Sequence, residues 1–360
     1  MNKEKILYIV PTLKKDGAEV QIANLISNFK NFEIDIFTCD FYKKGNSIEQ
    51  NLVDVNIYSK NGFFNIFEIN KLINTNNYKI VHSHLPKADF FVGLLKFIKK
   101  NFIHIISVHA QYGTRTNESK IKYSVFNIFW KFILNQSDGI IAISNKISSW
   151  LIEEHKINLD LITTVHYGVE LHDRDEKLSN NKTIGMAARM LPWKGWDRVI
   201  DTAVILKEQN VNFNLIFAGS DDINYKNTLI DLVNKKGIQD YVSFHDHYEM
   251  IDDFFSKIDL FLFLSDSEGF GLVVLEAIEN NTPVICSNIA PLSEFVDNTH
   301  GTLVDSKNFK EVANLVKKIL EDEDFKKEVQ KKQKEKIISE FSIDIASSNY
   351  ENYYIKLLND

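Results

Sequence analysis

Only two cysteines occur in the 360 residues of the chain, Cys39 and Cys286, each beside an apolar strand-like run. They exclude a disulfide framework and suit a reducing compartment. No uninterrupted apolar stretch approaches the ~20 residues that a spanning helix needs. The start, Met-Asn-Lys-Glu-Lys, leads only into the short apolar run Ile6–Val10, so no cleavable signal is expected. A soluble or surface-bound cytoplasmic protein is the expectation. No dense Lys/Arg cluster exists and the pI is 5.9, which argues against nucleic acid as a partner. Also missing are Gly-x-Gly-x-x-Gly, the Walker loop, Gly-x-Ser-x-Gly and His-Glu-x-x-His. No Asp-x-Asp ends a strand-like run, the usual means of holding a divalent ion on a nucleotide diphosphate. Any diphosphate here would have to be neutralised by cationic side chains.

What is present is an ordinary globular composition, 44% hydrophobic and 25% charged, with enough chain for two cores. The charge is uneven. Residues 1–170 hold 20 Lys+Arg and 16 Asp+Glu, or +4; the remainder hold 22 and 33, or −11. Such an imbalance suits either two halves that face different partners or an uneven decoration of solvated faces.

Strand-like runs alternate with helical ones. Lys5–Pro11, Phe32–Thr38, Ile80–His84, Ile103–His109, Gly139–Ser144 and Ile162–Tyr167 read as strands. Ala18–Phe29 reads as the first helix. The polar stretch His172–Lys182 reads as a linker, after which the alternation restarts at Thr183–Ala187. This is the pattern of βαβ units around parallel sheets, and it predicts two α/β layers in a bilobal protein with a cleft. The expected domains are 1–171, a linker at 172–182, 183–341, and a terminal helix at 342–360 that crosses back to the first domain. Asp324–Glu340 reads as a solvated helix supported by i,i+4 pairs.

The second half carries the sharpest chemical signal. Ser265–Glu276 joins the buried strand Asp259–Leu264 to a helix at Leu272–Glu279, with two carboxylates, Glu268 and Glu276, and two glycines between. Free N–H groups and a positive helix end at a sheet's carboxyl edge attract anions. Glu276 stands among Val273, Val274, Leu275, Ala277 and Ile278, so it needs a partner, and a vicinal diol such as a ribose suits it. Arg189 and Lys194 follow the strand Thr183–Ala187 with Gly195 behind them, a pair suited to a diphosphate. Lys15-Asp-Gly-Ala-Glu19 follows the first strand, where Gly17 lets backbone approach a phosphate and Asp16 suits an N-cap. His82, His84 and His109 end strands; His82 and His84 share a face, but no acidic or thiol ligand completes a metal site. His245-Asp-His247 reads as loop.

In that order these motifs resemble the retaining glycosyltransferases of the GT-B fold, family 4 type, over nearly the whole chain. The matching segments are Asp16-Gly17-Ala18-Glu19, Val81-His-Ser-His84, Val108-His109, His166-Tyr-Gly-Val-Glu170, Arg189 with Lys194-Gly195, Phe217-Ala-Gly219-Ser220, Glu268 to Glu276 as Glu-x7-Glu, and Thr282-Pro-Val-Ile285 with Glu294. The resemblance implies an α/β fold of two Rossmann-like domains and a nucleoside diphosphate sugar donor, UDP-sugar favoured, with neither cofactor nor metal. It implies that Arg189 and Lys194 bind the diphosphate and stabilise the leaving group. Glu276 would hold the ribose. Glu268, with the backbone of Gly269, Phe270, Gly271 and Leu272, would hold the donor sugar and phosphate. Gly219 would line the donor site, Gly17 would close on the phosphate, and His109 would sit beside the anomeric carbon. Asp16, where the family has glycine, is expected to point away, and Tyr167 replaces a common Asn.

The implied acceptor is a glycan or a polyprenyl-linked saccharide in bacterial-type surface polysaccharide or glycoconjugate assembly. Asn117–Leu134 and Phe90–Phe102 are aromatic-rich with interspersed lysines, which suits either the core of the first lobe or docking on an anionic membrane. Two other classes fit the same fold: a sugar-nucleotide epimerase and a catalytically silent binding scaffold.

Overall fold

Strands Ile80–His84 and Gly139–Ala142 are buried at every residue, as parallel strands covered by helices on both faces must be. The computed structural model describes residues 3–14, 17–40, 48, 52, 54–60, 65–112, 120–174, 181–246, 248 and 251–360. The chain divides into two units, Met1–Gly168 with Ile343–Asp360, and Val169–Ser342. The division falls at Gly168/Val169 rather than at 171/172. Asp16, His247, residues 113–119 and the centre of the expected linker, 175–180, lie outside the described residues.

The first unit contains β1 (Glu4–Val10), α1 (Gly17–Ser27), β2 (Phe32–Thr38), β3 (Ile57–Ser59), α2 (Asn65–Asn76), β4 (Ile80–His84), α3 (Pro86–Ile98), β5 (Ile103–Val108), α4 (Lys120–Gln136), β6 (Gly139–Ala142), α5 (Asn145–Glu153) and β7 (Ile162–Thr164). Its seven strands pair in the order β3-β2-β1-β4-β5-β6-β7. One core cluster joins β1 and β2 to α1 and to the chain's last helix; a second lies under α2 and α3.

The second unit contains β8 (Thr183–Ala187), α6 (Trp196–Glu208), β9 (Asn214–Ala218), α7 (Tyr225–Lys235), β10 (Val242–His245), α8 (Ile251–Phe255), β11 (Leu260–Phe263), α9 (Leu272–Glu279), β12 (Val284–Ser287), α10 (Leu292–Phe295), β13 (Leu303–Val304), α11 (Phe309–Glu321) and α12 (Glu323–Glu340). The strand order is β10-β9-β8-β11-β12-β13. Both sheets pair in parallel. His245 ends strand β10, so it is not in a loop.

The final helix, α13 (Ile343–Asn359), belongs to the first unit, where Tyr350 and Tyr354 are fully buried. Helix α12 departs from the solvated helix read from its charge. Lys326 is buried against Asp259, and Gln333 bonds both the N–H and the C=O of Val284. The ion pairs within the helix are i,i+3, Lys326 with Glu323 and Lys332 with Glu335, and Lys334 reaches out to Glu279. Among the described residues no helix is long and apolar enough to cross a membrane.

Candidate functional site

Strand β8 lies between β9 and β11, so the loops that leave these three strands sit side by side at the sheet's carboxyl edge. Arg189 and Lys194 follow β8, Gly219 follows β9, and Glu268 follows β11. Backbone hydrogen bonds stitch them together. Ala188 N donates to Ala218 O (3.1 Å) and Met190 N to Ser220 O (2.8 Å). Asp266 N donates to Trp193 O (2.8 Å), and Ser265 Oγ reaches the same carbonyl at 3.3 Å. A Cβ at Gly219 would lie 1.7 Å from Ala188 O, so only glycine permits this approach of the first two loops.

Lys194 is half-buried and Glu268 is buried. Lys194 Nζ donates to both Glu268 oxygens at 2.8 Å. The two side chains assigned to diphosphate and sugar thus hold each other. Arg189 behaves differently. Its guanidinium is exposed and has no hydrogen-bond or ion-pair partner among the described residues, while its carbonyl accepts from Trp196 Nε1.

Gly271 precedes α9 with φ 96, the left-handed region that favours glycine, and a Cβ there would strike Leu292 Cδ2 at 2.5 Å. No side chain caps the helix; Val274 N donates to Gly271 O, which leaves the leading N–H groups of Leu272 and Val273 without a bonded acceptor among the described residues. Phe270 is buried and stacks on Phe295, with centroids 5.0 Å apart, so only its backbone can serve a ligand. Gly269 is half-buried. Glu276 lies in the second turn of α9, half-buried; its carbonyl accepts from Asn280, but its carboxylate accepts no hydrogen bond from a described residue. Burial, with Asp252 and Glu279 nearby, pushes its carboxyl up to about 7. Glu279, one turn on, is satisfied: the N–H of His172 and the guanidinium of Arg174 both donate to it.

One residue of this site is not signalled by the sequence. Arg198 is buried, donates to Leu264 O at 2.8 Å and to Ser306 Oγ at 3.3 Å, and pairs with Asp266. It fixes the start of the loop that carries Glu268.

In the first unit Gly17 begins α1, and a Cβ added there would meet open space. His109 is buried with both ring nitrogens engaged: Nε2 meets His84 Nδ1 at 3.0 Å and Nδ1 meets Tyr167 Oη. Burial holds the ring down to about 3, so it is neutral at pH 7. His82 stacks on His84 with centroids 4.2 Å apart and bonds Tyr354 Oη (2.8 Å) and Ser107 Oγ (2.9 Å). Tyr354 in turn bonds Tyr8. The strand-end histidines therefore form one buried His–Tyr cluster, to which α13 contributes. A hydroxyl at position 167 completes the bonding of His109, a role read from sequence only as a departure from Asn.

Sequence comparison matches residues 15–173 to the model described as Glycosyltransferase Family 4 and residues 170–336 to that described as Glycosyl transferases group 1. The O-antigen biosynthesis glycosyltransferase WclY of Escherichia coli is 28% identical over 314 residues, 81% of this chain and 82% of that protein. The capsular polysaccharide biosynthesis glycosyltransferase CapM of Staphylococcus aureus is 26% identical over 309 residues, 78% and 77% of the two chains. The crystal structure of Anabaena HepE in complex with UDP and glucose superposes with a TM-score of 0.83 at 17% identity, over 98% of this chain and all of that one.

Proposed function

This chain belongs to the family 4 glycosyltransferases, the glycosyl transferases group 1, with the GT-B fold, and we propose that it moves a hexosyl or N-acetylhexosaminyl unit from a UDP-sugar to a glycan or lipid-linked acceptor with retention and without a metal. The setting is surface polysaccharide or glycoconjugate assembly, as in the named roles of WclY and CapM. UDP is the favoured nucleotide because HepE, of the same fold, is seen with UDP.

One observation supports the donor assignment above others. At one sheet edge Arg189 presents a guanidinium without an acceptor and Glu276 a carboxylate without a donor, among the described residues. Arg189, exposed, is a cation free to meet an anion; for Glu276, half-buried, a carboxylate without a partner is costly unless a ligand or water completes it. A diphosphate completes the first and a ribose diol the second. Lys194, already placed by Glu268, adds the second cation.

In the proposed reaction the bond from the anomeric carbon to the leaving phosphate oxygen breaks. A bond from the acceptor oxygen to that carbon forms on the same face, and the acceptor proton passes to the leaving phosphate. Positive charge develops on the sugar and negative charge on the diphosphate. Arg189, Lys194 and the N–H groups at Gly269–Leu272 are preorganised for the negative charge. The roles of His109, neutral and bonded at both ring nitrogens, and of Gly17 stay those that the resemblance implies, and they are part of the proposal. The membrane-linked form of the acceptor would be met at the inner membrane surface.

A thermal-shift screen of nucleotide sugars tests the donor class, since a ligand stabilises the chain by RT ln(1+[L]/Kd). UDP-sugars are expected to raise the midpoint. No shift with any nucleotide sugar at millimolar concentration would reject the assignment.

A further inference from the structure

Helix α4 is apolar on two faces. Trp130, Ile133 and Leu134 are buried, yet Val125, Ile128, Phe129 and Phe132, at i, i+3, i+4 and i+7, are exposed. A second apolar stripe facing solvent calls for a surface to cover it. The stripe continues onto α3, where Phe97 and Ile98 are 62% and 74% exposed. The two helices meet through ring pairs, Phe97 with Phe132 and Phe90 with Phe126, each with centroids 5.9 Å apart. Of the 13 large hydrophobic side chains exposed among the described residues, seven lie on α3 and α4. The clustering separates this patch from the isolated surface hydrophobics of an ordinary protein.

Charge selects the occupant. Residues 86–136 hold eight lysines and arginines against two carboxylates, Asp89 and Glu118. Asp89 is fully buried and bonded by Ser83 and Trp130; Glu118 lies outside the described residues. Asp138, just past α4, is paired with Lys96 at 2.5 Å. Lys100 is exposed, and Lys99 and Lys131 are half-buried around the apolar stripe. A second copy seated on this face by two-fold symmetry would set lysine against lysine with no free carboxylate between them. An anionic bilayer takes both the apolar stripe and its basic rim.

We propose that the α3–α4 face of the first unit docks on an anionic membrane surface, with Phe97, Ile98, Ile128 and Phe129 entering the interface and Lys99, Lys100 and Lys131 meeting the headgroups. This deepens the acceptor half of the function proposed above, resting on it for the purpose of docking; the contact and its test are independent of transfer.

Flotation of the full chain with vesicles decides it. With phosphatidylcholine containing about one-third phosphatidylglycerol, in about 0.05 M salt, the chain is expected to float, and to float far less with phosphatidylcholine alone or in about 0.5 M salt. Ile98→Ser with Ile128→Ser, two side chains directed at solvent, is expected to keep the thermal midpoint and cut the bound fraction about tenfold. Lys99→Glu with Lys100→Glu is expected to remove the anionic preference. A wild-type chain that stays with the soluble fraction, or a folded serine variant that floats as wild type does, would overturn the proposal. So would a dimer in light scattering that the serine variant splits, since a second copy would then cover the face.

Discussion

Lys194 Nζ is bonded to both carboxylate oxygens of Glu268 at 2.8 Å, although the two residues are 74 apart in the chain and follow different strands. The pair locks the loop after β8 to the loop after β11. Each partner removes most of the desolvation cost of the other. Lys194→Met is therefore expected to lower stability by about 3 kcal/mol, because it leaves a buried carboxylate without its cation. Combining it with Glu268→Leu should cost less than the sum of the single changes. Urea denaturation of the four proteins measures the coupling; strict additivity would show that the pair is not a unit.

Arg198→Met should loosen the loop start that Leu264 O and Asp266 define. The expected result is a loss of about 2–3 kcal/mol in stability, as for charged hydrogen bonds, and about tenfold weaker UDP binding by calorimetry. Arg198→Lys, which can serve one acceptor but not the fork, should fall between. UDP affinity unchanged in the Met variant would remove Arg198 from the donor site.

Glu276, pushed up to about 7 by burial beside Asp252 and Glu279, is half protonated near neutrality. Only the carboxylate accepts from both ribose hydroxyls. UDP affinity should rise from pH 6 to pH 8, and Glu276→Gln should flatten that rise. A wild-type affinity flat across this range, after correction for ionisation of UDP itself, would contradict the ribose assignment.

Acid should unfold the first unit early. His104 and His109 are each held down to about 3 by burial, against about 6.5 unfolded. The unfolded chain thus binds their protons first. Their stabilising contribution is whole above pH 6.5 and falls by about 1.4 kcal/mol per pH unit per histidine toward pH 3. His82 and His84 shift the same way. Asp89, pushed up to about 7, has the opposite sign and offsets about one histidine between pH 7 and 4. Urea midpoints are expected to fall from pH 7 to pH 5; a constant midpoint would show that these rings are hydrated in solution.

The strand–loop–helix from Leu260 to Glu279 was legible because its signals are local: a four-residue apolar strand, a glycine at a left-handed position, and a carboxylate on an apolar helix. Arg198 was not. Apolar Trp196, Val199, Ile200 and Ala203 mark the buried stripe of α6, and Arg198 falls off it, where a lone arginine reads as solvated. The burial of Lys326 in α12 was hidden for the same reason, since a charge run reads as surface until Asp259 is brought to it by the fold. The His–Tyr cluster combines strand ends with Tyr350 and Tyr354 from the last helix, a partnership of residues some 270 apart that no periodicity encodes. Likewise the sequence left α3 and α4 open between core and membrane face, and only their packing showed that each carries both a buried and an exposed apolar face.

Acceptor-dependent release of UDP tests the central assignment most directly. With a UDP-sugar and a glycan acceptor, the wild-type chain should release UDP only when the acceptor is present, and Arg189→Ala with Lys194→Ala should reduce that rate by at least about a thousandfold. Near-normal acceptor-dependent release by the folded double variant would contradict the placement of the diphosphate.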